Sequence, residues 1–144
     1  MKKLVVLSLA ALLLLPLLAL GCGGDGGAGD QTIELSLDDF TAQNNIVKSV
    51  EVGSSGTLTV KLGANPTTGY QWGENAEISN TAVIAQQSYN YVEPEDTDMM
   101  GAPGTDVWVF DTKAAGSATI TFSYGRSWEE GDATYTLTVN VTVE

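Results

Sequence analysis

Read by its apolar and polar positions, the chain has a leading stretch without alternation and a long remainder in which apolar residues recur at every second position. Residues 4–20 are apolar almost without a break, interrupted only by Ser8 and Pro16, and follow the basic start Met1-Lys2-Lys3. A run this short, with a positive start and small residues at its end, has the form of an export signal rather than of a stable membrane span. The glycine-rich residues 23–30 that come next cannot bury a core and behave as a flexible tether. From Gln31 onward the period is two, as in Ile33-Leu35-Leu37, Leu58-Val60-Leu62, Ile120-Phe122-Tyr124 and Tyr135-Leu137-Val139-Val141-Val143. Threonine and serine fill many of the positions between, as suits strands with one solvated face. Residues 82–91 and 106–112 alternate less strictly but are rich in β-branched and aromatic side chains. Clusters of glycine, proline and asparagine separate the runs.

The pattern predicts strands over 31–37, 46–52, 57–62, 70–74, 82–91, 105–112, 117–124 and 133–143. No stretch carries a helical apolar period of useful length, so the expectation is an all-β sandwich or barrel formed by one domain over 31–144. In a sandwich of antiparallel strands, each connection returns the chain to the opposite end, so alternate connections share an end. The connections near 63–69, 93–104 and 125–132 are then expected at one pole, and those near 53–56, 75–81 and 113–116 at the other.

Composition changes the picture at the N-terminus. Cys22 is the sole cysteine, so no internal disulfide can form. The segment Leu18-Ala19-Leu20-Gly21-Cys22 resembles the lipobox of bacterial lipoproteins, in which a small residue precedes a cysteine that is acylated and becomes the new N-terminus. Ala19 and Leu20 stand in swapped order relative to that pattern. The resemblance implies a signal peptide over 1–21, a lipidated cysteine and tether over 22–30, and a protein exported and held at the cell-envelope membrane through lipid on Cys22. The plainer alternative is a cleaved signal that leaves a free thiol.

The charge is strongly acidic, −12 for the whole chain. Once the two leader lysines are set aside, Lys48, Lys61, Lys113 and Arg126 face all eighteen acidic residues. Such a surface repels phosphate backbones, which argues against a nucleic-acid partner. The sequence contains no histidine, which removes the Ser-His and Cys-His nucleophile systems and the commonest metal ligand. No phosphate cradle or dinucleotide fingerprint is visible, so no cofactor or metal is implied. A paired-carboxylate hydrolase would need two acids converging in a pocket, whereas residues 93–98 and 129–132 read as solvated turns. A binding or inhibitory module is the remainder.

Three connections of the shared pole stand out. Asn65-Pro66-Thr67-Thr68-Gly69-Tyr70 combines an asparagine able to bond forward to nearby backbone, a proline with fixed φ and a glycine free to take positive φ. A stiff turn tipped by two uncharged threonines is expected, although such turn formers also occur in many sandwiches. The second connection, Gly101-Ala102-Pro103-Gly104 behind Met99 and Met100, reads as longer and more mobile. Its methionines could form an adaptable contact surface or fold back on the sandwich. The third carries Arg126-Ser127-Trp128, residue types enriched at binding hot spots. A structural alternative tucks Trp128 onto the sandwich end with Arg126 stacked on it.

Taken together, these motifs resemble the chagasin family of cysteine protease inhibitors, which displays an Asn-Pro-Thr-Thr-Gly-aromatic loop, a Gly-rich middle loop and an Arg-Pro-Trp loop on an immunoglobulin-like sandwich. The first motif is complete, the middle one matches over 101–104, and Trp108-Val109-Phe110 followed by Gly116 is similar to the family's spacing. Ser127 stands where the family usually has proline. The resemblance implies an immunoglobulin-like antiparallel β-sandwich and a reversible, competitive inhibitor of papain-like cysteine proteases, with loops 65–70, 99–105 and 125–130 entering the cleft; a monomer is expected, since nothing in the sequence argues for an oligomer. A cell-surface adhesion or ligand-binding lipoprotein on the same sandwich is the alternative, since the fold alone does not separate the two.

Overall fold

The structure, a computed structural model, describes residues 29–95, 102–126, 131 and 133–144. The expected signal peptide and Cys22 lie outside them. In chain order the elements are β1 (Gln31–Leu35), α1 (Leu37–Ala42), β2 (Asn45–Val52), β3 (Thr57–Ala64), β4 (Tyr70–Trp72), β5 (Glu77–Ile78), β6 (Ile84–Val92), β7 (Gly104–Thr112), β8 (Gly116–Arg126) and β9 (Tyr135–Val143). One sheet runs β1-β3-β7-β6 and the other β2-β9-β8-β4, with β5 beside β8. Their inner faces carry the predicted alternation. Leu58, Val60 and Leu62 of β3, Trp108 and Phe110 of β7, Ile120 and Phe122 of β8, and Leu137, Val139 and Val141 of β9 are all buried. Phe122 bridges the two layers edge-on to Trp108, with ring centroids 4.9 Å apart. Each fully buried side chain of this size contributes about 1.5–3 kcal/mol, enough in sum for a core without disulfides.

The expectation of a purely antiparallel sandwich is corrected. β1 pairs with β3 in parallel, and β2 with β9 in parallel, so both sheets are mixed. With β4 and β5 counted as one course beside β8, since both run antiparallel to it, the chain does run up and down from one strand to the next. The first two strands, however, go to edges of different sheets, and each lands beside a strand running its own way. A second correction is α1. Ser36 donates its backbone N–H and its hydroxyl to the Asp39 carboxylate at 2.7 and 2.9 Å, closing the first turn. Asp38 and Asp39 suit the positive end of the helix. A six-residue helix does not hold alone; its anchor is Phe40, which is wholly buried.

The strand register brings the ends of the three expected connections to one pole. Ala64 pairs with Gly104, Val92 with Thr105 and Tyr70 with Arg126, so the ends of β3, β6 and β8 share one pole with the starts of β7 and β4. α1 crosses between the sheets at that same pole, since β2 begins beside Thr136. The turn at 53–56 and the connection after Thr112 meet at the other pole, where the Thr112 hydroxyl lies within hydrogen-bond distance of the carbonyls of Gly53, Ser54 and Gly56.

Candidate functional site

Strands reach further into the connections than the sequence predicts, which shortens the loops. Gly104 and Thr105 belong to β7, and Gly125 and Arg126 belong to β8, paired with Gln71 and Tyr70. Between β3 and β4 only residues 65–69 remain. Pro66–Thr68 form a 3₁₀ turn, and Gly69 closes it at φ 84° and ψ −10°. Its N–H donates to the Pro66 carbonyl at 3.0 Å, a left-handed conformation that favours glycine.

Both threonine hydroxyls point back at Asn65. Thr67 Oγ1 donates to the Asn65 side-chain oxygen, and Thr68 Oγ1 to the Asn65 carbonyl at 2.7 Å. The Thr68 hydroxyl also accepts the Tyr70 N–H at 3.3 Å. What sequence reasoning assigned to Asn65 alone is thus shared among Asn65, Thr67 and Thr68. With their hydroxyls occupied locally, Pro66, Thr67 and Thr68 stand exposed as an uncharged tip. Several local bonds, each worth about 0.5–1.5 kcal/mol net, make the tip stiff.

Beneath the tip lies a ladder of aromatic rings. The Arg126 guanidinium sits 4.3 Å from the Tyr70 ring centroid. Tyr70 stacks on Tyr124 at 5.7 Å, Tyr124 on Tyr135 at 5.6 Å, and Tyr135 on Phe40 at 5.5 Å. Trp72 packs against both Phe40 and Tyr124. Two groups of this ladder reach the loop backbone: Trp72 Nε1 donates to the Gly63 carbonyl at 3.0 Å, and the Tyr124 hydroxyl accepts the Asn65 N–H at 3.4 Å. Burial pushes the Tyr124 hydroxyl's pKa up, while its bonds to Asn65 and Thr68 pull the other way.

On the other flank, Pro66 and Ala64 roof a recess of about 120 Å³ that Tyr89, Tyr91, Gln71 and Asp106 also line. Asp106 is only 2% exposed, and the Tyr89 hydroxyl donates to its Oδ1 at 2.7 Å. Burial pushes the Asp106 carboxyl above the usual carboxylate range and Glu74 adds to this, against the Tyr89 bond. Burial, then the bond to Asp106, pushes the Tyr89 hydroxyl up as well.

Of the sequence-predicted site, Asn65, Pro66, Thr67, Thr68, Gly69, Tyr70, Ala102, Pro103, Gly104 and Arg126 come together at one pole. Gly101, Ser127 and Trp128, like Met99 and Met100, lie outside the described residues. Pro103 and Gly104 border a cleft that runs past Gly63 to Ser36, Leu37 and Asp39. Gly104, read from sequence as part of a mobile bracket, is fixed by packing. A Cβ there would stand 2.3 Å from the Tyr91 hydroxyl and 2.6 Å from the Val92 carbonyl. Arg126 reaches Tyr70 of the first loop, a partner the sequence did not indicate. Sequence reasoning also missed Trp72, Tyr124, Asp106 and Tyr89. Asp106 did leave a signal, being a charged residue at the inward parity of Trp108 and Phe110.

The sequence profile of the chagasin family of peptidase inhibitors, I42, matches residues 49–143. Chagasin of Trypanosoma cruzi is 31% identical over 90 residues, covering 60% of this chain and 78% of that protein. Among solved structures, the cysteine protease inhibitor EhICP2 of Entamoeba histolytica superposes with a TM-score of 0.63 at 23% identity, covering 82% of this chain and all of the other. PbICP-C, solved in complex with falcipain-2, does so with a TM-score of 0.60 at 18% identity, covering 78% and 99%. These two share the sandwich fold with this chain.

Proposed function

The chain belongs to the chagasin family of peptidase inhibitors, and from that premise we propose that it occludes the active-site cleft of papain-like cysteine proteases, reversibly and competitively, with the 65–70 loop at the centre and the 99–105 and 125–130 loops at its sides. It is an inhibitor of this protease class and not an enzyme. The observation that carries the loop assignment is the Asn65–Tyr70 turn, an uncharged tip whose polar groups are already bonded within the turn. A tip of this kind enters a cleft without desolvating a charge and loses little conformational freedom on docking. Arg126, held on Tyr70, ties the start of the third loop to the first. Ser127 gives up the fixed φ of the family's proline, so the third loop orders at greater cost on binding.

Acylation of Cys22 holds the inhibitor at the envelope membrane as a monomer. The Leu18–Cys22 motif and the glycine-rich residues after it support this part of the proposal. Loss of fatty-acid labelling in a Cys22→Ser variant is the expected outcome, and retained labelling refutes it.

The function is tested by titrating papain with the folded domain at fixed substrate, where a competitive inhibition constant in the nanomolar range is expected. Thr67→Arg would place a charge in the desolvated cleft and should raise that constant by more than about 100-fold. Unchanged inhibition by this variant would exclude the 65–70 loop from the centre of the cleft.

A further inference from the structure

We propose that Tyr124 and Trp72 are positioning residues of the inhibitory loop, a clamp from one sheet that sets the angle at which a loop rooted in the other enters its target; this rests on the reading of the 65–70 loop given above. The loop leaves β3 in one sheet and returns as β4 in the other, so backbone geometry alone leaves it a hinge between layers. Trp72, two residues past the loop, reaches back to bond the Gly63 carbonyl, one residue before the last of β3. This closes residues 63–72 into a ring. From β8, the Tyr124 hydroxyl takes the Asn65 N–H at the loop's first residue.

Both side chains are almost fully buried, Trp72 at 1% and Tyr124 at 4% exposed, so their polar atoms point at the loop and not at solvent. Two residues beyond Tyr124 on the same strand, Arg126 caps Tyr70, where the loop ends. β8 therefore holds the first loop at its start and at its end, and the third loop begins from that same strand. A clamped loop docks already in its bound orientation, and loosening it raises the ordering cost of binding, which appears mainly in the dissociation rate.

Tyr124→Phe tests the clamp, because it keeps the ring stack and removes only the hydroxyl. Tyr135→Phe is the control, one ring further along the same stack. For Tyr124→Phe the papain inhibition constant should rise about 5- to 20-fold through faster dissociation, with the melting temperature within a few degrees of the parent. Amide exchange at Asn65, followed by NMR in the free protein, should accelerate. Tyr135→Phe should leave both readouts unchanged. An inhibition constant within twofold of the parent for Tyr124→Phe, or an equal loss for Tyr135→Phe, overturns the proposal. Because the exchange measurement needs no protease, unchanged Asn65 exchange overturns the clamp even where the parent fails to inhibit papain; failure of the parent alone overturns only the inhibitory reading.

Discussion

Asp106 is a buried carboxylate in the recess that Pro66 also lines, and burial is the largest influence on its pKa. Its pKa in the folded chain is raised above the ordinary 3.8. Above the folded value the group is charged in both folded and unfolded states, and the folded state bears the desolvation cost. As pH falls through the folded value toward 3.8, the folded state takes up the proton first, and that cost is relieved. Asp106→Asn removes the charge and keeps an acceptor for the Tyr89 hydroxyl. It should raise the melting temperature at pH 7 by a few degrees, with the gain shrinking as the melt is repeated toward pH 4. An equal shift at both pH values would show that desolvation of this carboxylate is not the cause. At this scale, the tip was legible and its seat was not. Asn65, Pro66 and Gly69 announce a turn through chemistry local in sequence. Tyr124 stands 59 residues from Asn65, and Tyr89 stands 17 from Asp106, and only pairing of the sheets brings these partners together.

The elements were readable wherever one face is buried over several residues, because alternation then repeats often enough to fix the strand. β3, β8 and β9 are of this kind. β5 has two residues and β4 three, too few to show a period, and their place beside β8 follows from the register of the sheet. α1 escaped for a related reason. Its one fully buried residue, Phe40, gives no period, and the capping signal Ser36-x-x-Asp39 lacks the Glu or Gln that usually marks it. The parallel pairs were hidden because alternation specifies which face is buried and is silent on which strand lies alongside. Phe40 nevertheless joins α1 to the aromatic ladder through Tyr135 and Trp72. Phe40→Ala should cost about 3–5 kcal/mol of stability, the range for a deleted core aromatic. Urea unfolding monitored by tryptophan fluorescence checks this; a loss below about 1 kcal/mol would mean that α1 is an ornament on the sandwich and not part of its core.

For the whole molecule, the two poles carry different parts of the chain. The described chain starts at the pole away from the loops: Gly29 accepts the Gly53 N–H at 3.3 Å, and the Asp30 carboxylate accepts the Thr57 N–H at 2.9 Å. Glu144 is held there too, its N–H on the Val52 carbonyl at 3.2 Å. A lipid tether through residue 22, as proposed above, would therefore be joined to the base of the sandwich. Strands of nine residues, at about 3.3 Å each, set the loops roughly 30 Å beyond it. In the lipid-anchored form proposed above, the 65–70 loop and its neighbours would face away from the bilayer, toward a protease in the aqueous phase. The geometry can be probed independently of natural acylation by coupling the Cys22 thiol to a maleimide lipid in vesicles. Inhibition of soluble papain by that form should stay within about threefold of the free domain, since binding strength depends on the interface and not on the remote attachment. Moving the attachment to α1, with Asp38→Cys in a Cys22→Ser chain, turns the loop pole toward the lipid and should weaken inhibition by more than tenfold, as geometry then forbids the cleft to engage. Equal inhibition by both coupled forms would mean that the tether lets the domain turn over freely, and that the placement of the chain's start has no bearing on which proteases it meets.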